Sequence, residues 1–350
     1  MAIEGCGVSA FVIWKDETCS EIDEEETRKH FRRIVDEIKD WGYLVAGGVE
    51  TEVDTTTRAE KKKLVKMAVE EARGEVPVFC GAHSDSLWEQ IEMAKDGKEL
   101  GVKGILLHIP VMHPGFPPPM NEEFIIEHLK RFDEEVNLPI ALYASPPGGA
   151  TSGHNSIMIE TCKKAAEQIK NFQAWKVGSR GNLNTFLKAY QILKDTQVNT
   201  CPAGSSEPQL FITHAMGWSK GTLSGGSNFT AKWDMEVMRK AMEGKLNEAM
   251  ALANRLKAIF DVVYGMLPGL EPAGFVERYK IHGWLAGLIP EMNMRYPRLP
   301  RPKAEVEMLY QGMKKSCLYE EKVLREAEKK VKAYNREKLL KIKQKPPSLR

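Results

Sequence analysis

The sequence contains no CxxC pair. Its six cysteines, Cys6, Cys19, Cys80, Cys162, Cys201 and Cys317, are spaced widely and irregularly, which argues against a structural zinc site. Several lie in apolar runs, where cysteine behaves as a small hydrophobe, and a reduced, cytoplasmic protein is expected. No apolar run approaches the roughly 18 residues that span a bilayer. The first 30 residues lack a basic stretch followed by an apolar one, so no signal peptide is expected. Neither sign of charge is in excess: the formal net charge is +2, giving no overall pull toward nucleic acid or a membrane. No GxGxxG opens the first strand-to-helix turn, so the dinucleotide-binding fingerprint is missing.

What is present is enough apolar material for one large core or two small ones: 350 residues, 42% of them hydrophobic. Short apolar runs recur at 6–13, 43–48, 76–82, 104–110, 139–146, 172–177, 200–205 and 221–226. Between them lie amphipathic segments with 3–4 spacing. In "DEEETRKHFRRIVDEIKDWG", Asp23 is the expected N-cap, acids fill the first turn, and Phe31, Ile34, Val35 and Ile38 form the apolar face. Near-continuous apolar strands alternating with helices indicate a parallel sheet covered by helices. Eight such units predict a (β/α)8 TIM barrel with additional C-terminal helices. A doubly wound sheet is the runner-up. The expected division is a barrel over 1–235, a helical segment packed on it over 236–302, and a charged, basic helical tail over 303–350. Residues 314–350 carry 13 Lys/Arg against 5 Asp/Glu, which reads as an exposed helix and a frayed end.

One residue breaks the apolar pattern. In "NFQAWKVGSR" (171–180), Lys176 sits among Phe172, Ala174, Trp175 and Val177. Desolvating an ammonium without a partner costs several kcal/mol. The lysine therefore snorkels outward, or is paired, or serves chemistry. Catalytic groups of this barrel sit at the C-terminal ends of its strands. Lys176 is the fifth residue of the sixth candidate strand, and Tyr143 is the fifth residue of the fifth. Adjacent strands lie about 4.8 Å apart, so phenol and amine are within reach of each other. A lysine desolvated inside a barrel loses its proton more easily; the neutral amine attacks a ketone to form a Schiff base, and a tyrosine beside it shuttles protons.

The order of these segments resembles the dihydrodipicolinate synthase / N-acetylneuraminate lyase family of Schiff-base barrels, over about residues 5–300. The supporting stretches are "FVIWKDETCSEID", the turn "GVETE" (48–52) with Glu60 downstream, "VPVFCGAHS", "LGVKGILLHIPVMHP", "LPIALYASP", "FQAWKVGSR" and "GTLSGGSN". The resemblance places Tyr143 on the catalytic tyrosine and Lys176 on the Schiff-base lysine. It implies that Gly48 and Val49 present backbone N–H groups to a 2-oxo acid carboxylate, and that Gly204, Ser224 and Gly225 line the pocket. It also implies a homo-oligomer, a tetramer built from dimers or a dimer.

The chain departs from that family's pattern at several points. Val49 and Glu50 stand where two threonines are usual, so the hydroxyl relay is missing; Glu50 is either its acid/base replacement or an outward-facing glutamate. Val111 and Met112 replace a Tyr-Tyr pair, and Ala144 replaces an asparagine. The loop 146–155 lacks the arginine that synthases use for a second carboxylate. His83, His108, His113 and His154 lie at or near the ends of strands three to five without a compact ligand spacing, so no metal is expected. His83 and His113 are acid/base candidates or loop histidines without a role.

The function expected is a Schiff-base lyase, an aldolase or hydratase-aldolase acting on a pyruvate-derived or other 2-oxo acid, without cofactor. A sugar-acid dehydratase on the same scaffold and a non-catalytic barrel paralogue are the alternatives. Small-molecule substrates are the expected partners, with no nucleic acid and no membrane.

Overall fold

The computed structural model describes residues 3–110, 122–146, 157–179, 182–202, 212–265, 267–270 and 274–347. Strand and helix alternate: β1 (Gly5–Ser9), α1 (Glu24–Ile38), β2 (Gly42–Ala46), α2 (Arg58–Ala72), β3 (Val78–Ala82), α3 (Leu87–Glu99), β4 (Gly104–His108), α4 (Glu122–Val136), β5 (Ile140–Ala144), α5 (Ile159–Gln168), β6 (Phe172–Val177), α6 (Leu183–Leu193), β7 (Asn199–Cys201), α7 (Ile212–Ala215), β8 (Gly221–Ser224) and α8 (Ser227–Met242). Every expected strand is found. All sheet pairings are parallel, in the order β7-β6-β5-β4-β3-β2-β1-β8. Leu223 N donates to Pro202 O at 3.2 Å across the remaining gap, so the sheet is a nearly closed barrel rather than a doubly wound one.

Local chemistry fixes the helices. Asp23 caps α1 by accepting from Glu26 N at 3.0 Å, and the expected apolar face is buried. Thr57 and Glu60 form a reciprocal capping box on α2, with Thr57 N donating to Glu60 Oε2 at 2.8 Å and Glu60 N to Thr57 Oγ1 at 3.2 Å.

Alternation along each strand divides the side chains into two sets. Those facing the helices, such as Val8, Leu44, Cys80, Leu107, Leu142 and Trp175, build the main core. Those facing inward, Tyr43, Val45, Phe79, Leu106, Ala141, Ala174, Cys201 and Leu223, fill the barrel.

A third core lies under the C-terminal helices α9 (Leu246–Val263), α10 (Phe275–Leu285), α11 (Lys303–Ser316), α12 (Glu321–Ala333) and α13 (Arg336–Leu340). Phe11 and Ile13 belong to it. This explains why β1 stops at Ser9 although the apolar run continues to 13: Phe11 N leaves the sheet and donates to Asn228 Oδ1 at 3.1 Å.

The tail differs from the exposed helix expected of it. Val306, Leu309 and Met313 of α11 are fully buried, as is Ala327 of α12, and Val331 and Tyr334 are nearly so. Lys345 N donates to Thr18 O at 3.2 Å. Net charge misled here, because the charged residues occupy one helix face while the other carries i, i+3, i+4, i+7 apolar spacing.

Candidate active site

Lys176 faces into the barrel because β6 carries a bulge. Ile140 pairs with Phe172 and Ala141 with Ala174, so Gln173 is the extra residue. The shift in phase lets Phe172 and Trp175 face the helices while Ala174 and Lys176 face inward. Trp175 is held in place by its indole N–H, which donates to Ala144 O at 2.8 Å.

Register then places four inward residues at one level. His108 pairs with Tyr143, Tyr143 with Lys176, and Lys176 with Cys201, across β4 to β7. The Lys176 amine lies 4.0 Å from the centroid of the Tyr143 ring, a cation–π distance, and Lys176 is 8% exposed. The His108 ring meets Tyr143 edge-on at 4.6 Å, and the His83 ring contacts that of His108 at 3.3 Å between centroids. Both imidazoles titrate well below the usual histidine range. Burial is the main cause in each; the charges of Lys61 and Lys176 add to it at His83, and those of His83 and Lys176 at His108. Burial pushes the Cys201 thiol up to about 12, which removes it as a thiolate nucleophile.

Glu50 enters from the next side of the barrel. It lies on a 3-10 turn, Val49–Thr51, after β2 and is 4% exposed, so the outward-facing alternative does not hold. A Cβ at Gly225 would collide with the Glu50 carboxylate; the missing side chain makes room for it. Among the described residues, no hydrogen bond to that carboxylate is seen.

The turn itself is anchored. Glu52, at a left-handed φ of 59°, accepts from Lys280 Nζ at 2.6 Å, Trp14 Nε1 at 3.0 Å and Arg295 N at 2.8 Å. The Arg295 guanidinium makes two bonds to Glu60, at 2.9 and 2.8 Å, and lies 4.0 Å over the Trp14 ring. Buried charges matched in this way hold a single arrangement. The C-terminal segment thereby fixes the turn that presents Glu50.

The remaining candidates fall as follows. Gly48 sits against Ser9 Oγ, with no room for a side chain. Ser224 is buried, and its hydroxyl accepts from Gly226 N at 3.0 Å. Val49 is half-buried beside Glu50. Gly204, Val111, Met112, His113 and His154 lie outside the described residues. Among the described residues, no group of three or more His, Cys, Asp or Glu is arranged to hold a metal ion, and no helix is long and apolar enough to cross a membrane.

One residue escaped the sequence reading altogether. Tyr279 of α10 is buried, shares a hydroxyl contact with Tyr264, and packs near Phe11 and Phe229. Burial, then the charge on Tyr264, then those of Glu50 and Tyr143, hold its phenol proton on. No motif marks it, because it reaches the barrel mouth only through the packing of a C-terminal helix.

A model of the dihydrodipicolinate synthetase family matches residues 6–309. The chain belongs to this family. A 4-hydroxy-tetrahydrodipicolinate synthase from Wolinella succinogenes is 26% identical over 283 residues, which is 77% of this chain and 85% of that protein. One from Clostridium tetani is 32% identical over 152 residues, 43% of this chain and 48% of that protein. Among solved structures, dihydrodipicolinate synthase from Acinetobacter baumannii, complexed with pyruvate, superposes with a TM-score of 0.76 at 21% identity, covering 91% of this chain and all (100%) of that one. At that identity the likeness establishes the fold of this dihydrodipicolinate synthetase family member and nothing finer.

Proposed function

We propose that the protein is a lyase that forms a Schiff base between Lys176 and a 2-oxo acid of the pyruvate type. The observation that carries this reading is the pairing of Lys176 with Tyr143, an inward amine 4.0 Å over a phenol ring. In the first step the amine nitrogen adds to the keto carbon. The carbinolamine then loses its oxygen as water, taking a proton from the Tyr143 hydroxyl, and the C=N bond remains. The imine withdraws electrons from the adjacent carbon, so a C–C or C–O bond one carbon further on can break. Glu50, buried across the pocket, is the candidate to move the second proton. Membership of the dihydrodipicolinate synthetase family supports the same substrate class.

The test is borohydride trapping with a panel of 2-oxo acids, read by intact mass and peptide mapping. A reduced adduct on the peptide containing Lys176 is expected. Labelling that persists in Lys176→Ala would remove Lys176 from the mechanism.

A further inference from the structure

The C-terminal segment encloses a cavity of about 40 Å³. Among the described residues, none of the candidate active-site residues lines it. One wall comes from α10 and the stretch that follows, with Glu277, Ile281, Met292, Asn293 and Arg298. The other comes from the tail, with Tyr334, Leu339, Ile342 and Gln344. These last four lie beyond residue 309, where the match to the family model ends. One water needs roughly 10–15 Å³ by this measure, so the space takes about three waters or a ligand of comparable size.

Most polar groups of the lining are committed within the protein. Arg298 binds Asp54 at 2.8 Å and Glu277 Oε1 at 3.3 Å. Arg301 makes two bonds to Glu305, at 2.9 and 2.8 Å. The Tyr334 hydroxyl donates to Arg301 O at 2.6 Å. The Gln344 amide accepts from Tyr296 N at 2.7 Å and donates to Met294 O at 2.6 Å. Two atoms are left over. Glu277 Oε2 and Asn293 Nδ2 are buried without a hydrogen-bond partner among the described residues, and Glu277 is 8% exposed. Buried polar groups are ordinarily satisfied; here an acceptor and a donor, on two residues of one cavity wall, are not.

These two atoms specify the missing partner. A carboxylate oxygen is an acceptor, and a charged donor satisfies it best. An amide nitrogen is a donor only, so Asn293 Nδ2 calls for an acceptor. Both arginines of the lining are matched by carboxylates, whereas Glu17 adds a carboxylate with no ion pair among the described residues. The uncommitted charge around the cavity is therefore negative. Ile281, Met292, Leu339 and Ile342 supply an apolar remainder. We propose that this cavity is a binding site for a small organic ammonium that carries a neighbouring oxygen acceptor, with the ammonium on Glu277 and the oxygen on Asn293. The site is independent of the reading of Lys176.

The test uses three probes of matching size: 2-aminoethanol, propylamine, which lacks the acceptor, and acetamide, which lacks the charge. Each is titrated into the full chain carrying carbon-13 methionine methyls. The Met292 and Met294 signals, assigned by Met292→Leu and Met294→Leu, report on the cavity wall. They should move saturably with 2-aminoethanol, at a Kd at least about tenfold below those of the other two probes. In Asn293→Ala, which leaves the backbone carbonyl bound to Lys280, the Kd for 2-aminoethanol should rise to that of propylamine. In Glu277→Gln, which keeps the oxygen that binds Arg298, it should rise at least about tenfold. Where a variant does not fold, the ranking of the three probes on the wild type decides alone. Equal Kd values for 2-aminoethanol and propylamine overturn the acceptor on Asn293, and equal values for 2-aminoethanol and acetamide overturn the cation on Glu277; either sinks the proposal. Methionine signals that move with none of the probes show a cavity filled by water alone, and overturn the site.

Discussion

Gly225 has no side chain because the Glu50 carboxylate occupies the place where one would stand. The two residues lie 175 positions apart, on the turns that follow β2 and β8, and they meet at the mouth of the barrel. A methyl group at 225 would push the carboxylate away, at a cost of about 1–3 kcal/mol for overpacking. Gly225→Ala should therefore lower the melting temperature and the activity together. In the Glu50→Ala background the stability loss should largely vanish, because the colliding group is gone; a double-mutant cycle reads that coupling. Additive losses would show that Glu50 does not rest on Gly225. Glu50→Gln, which keeps the shape and removes the titrating group, should lower kcat by about 10²-fold if the carboxylate moves a proton.

In the proposed mechanism Tyr143 acts through its hydroxyl, while its ring packs under the Lys176 amine. Tyr143→Phe keeps the ring and removes the hydroxyl. It should leave the fold unchanged and lower kcat by about 10²–10⁴, the usual worth of a positioned proton donor. A rate within threefold of wild type would confine Tyr143 to packing.

Six of the eight histidines are held neutral in the folded protein. Burial pushes His30 and His282 down to about 3 and His128 and His214 down to about 4, with the Arg33 charge adding to burial at His30; His83 and His108 also lie well below the usual range. An unfolded histidine takes up a proton below about pH 6.5, whereas His30, His128, His214 and His282 do so only at about pH 3 to 4, and His83 and His108 only well below the usual range. The unfolded state therefore binds more protons, and stability rises with pH through this window. It is fully present above about pH 6.5 and is lost as pH falls toward 4, by up to about 1.4 kcal/mol per pH unit for each group. Depressed carboxylates act in the same direction at lower pH. One is Glu60, where burial pushes the carboxyl up but the bonds from Arg295 and Thr57, with the Arg295 charge, together bring it below its ordinary value. Urea unfolding between pH 5 and 7.5 should show the slope, and His282→Asn should reduce it. A flat profile would contradict the burial of these rings.

The barrel was legible because strands buried on both faces read as apolar runs, and all eight runs became strands. Lys176 was legible as an exception to its own run. Its direction was not: the bulge at Gln173 leaves no mark in a single sequence, yet it decides which face the amine takes. The meeting of His83 with His108 follows from strand register, which apolar patterning sets only when both faces are known. Glu50 over Gly225, Tyr279 against Phe11 and Phe229, and Lys280 and Arg295 around Glu52 are long-range encounters that involve turns and C-terminal helices, with no local signature. The tail was misjudged because charge was counted along the chain and not around the helix.

Burial of the tail makes truncation costly. A chain ending near Pro302 loses α11, whose Val306, Leu309 and Met313 are fully buried against the C-terminal core. It also loses Glu305, which is bound to Arg278 at 2.8 Å. Each buried apolar side chain contributes about 1.5–3 kcal/mol, and a domain has only about 5–15 kcal/mol to spare. The truncated protein should unfold or aggregate at 37 °C. Removal of 346–350 alone, beyond Lys345, should be neutral. A full-length melting temperature in the chain ending at 302 would refute the packed tail.

Relatives named 4-hydroxy-tetrahydrodipicolinate synthase surround this chain, yet it should not perform that reaction well. The synthase reaction needs the carboxylate of its second substrate held, and a bidentate arginine is the usual device. The corresponding loop positions here are Pro147, Gly148 and Gly149. The hydroxyl relay is missing too: Val49 and Glu50 occupy the turn, where Glu50 is buried against Gly225. Losing a charged hydrogen bond costs about 1.5–3 kcal/mol, and a proton-shuttle defect adds to that loss. Pure protein mixed with pyruvate and aspartate semialdehyde should show condensation below a kcat/KM of about 10⁴ M⁻¹s⁻¹, the lower end of ordinary enzyme efficiency. A higher value would overturn the prediction. Arg180, which follows the lysine strand in the sequence and lies outside the described residues, would then be the residue to replace with alanine.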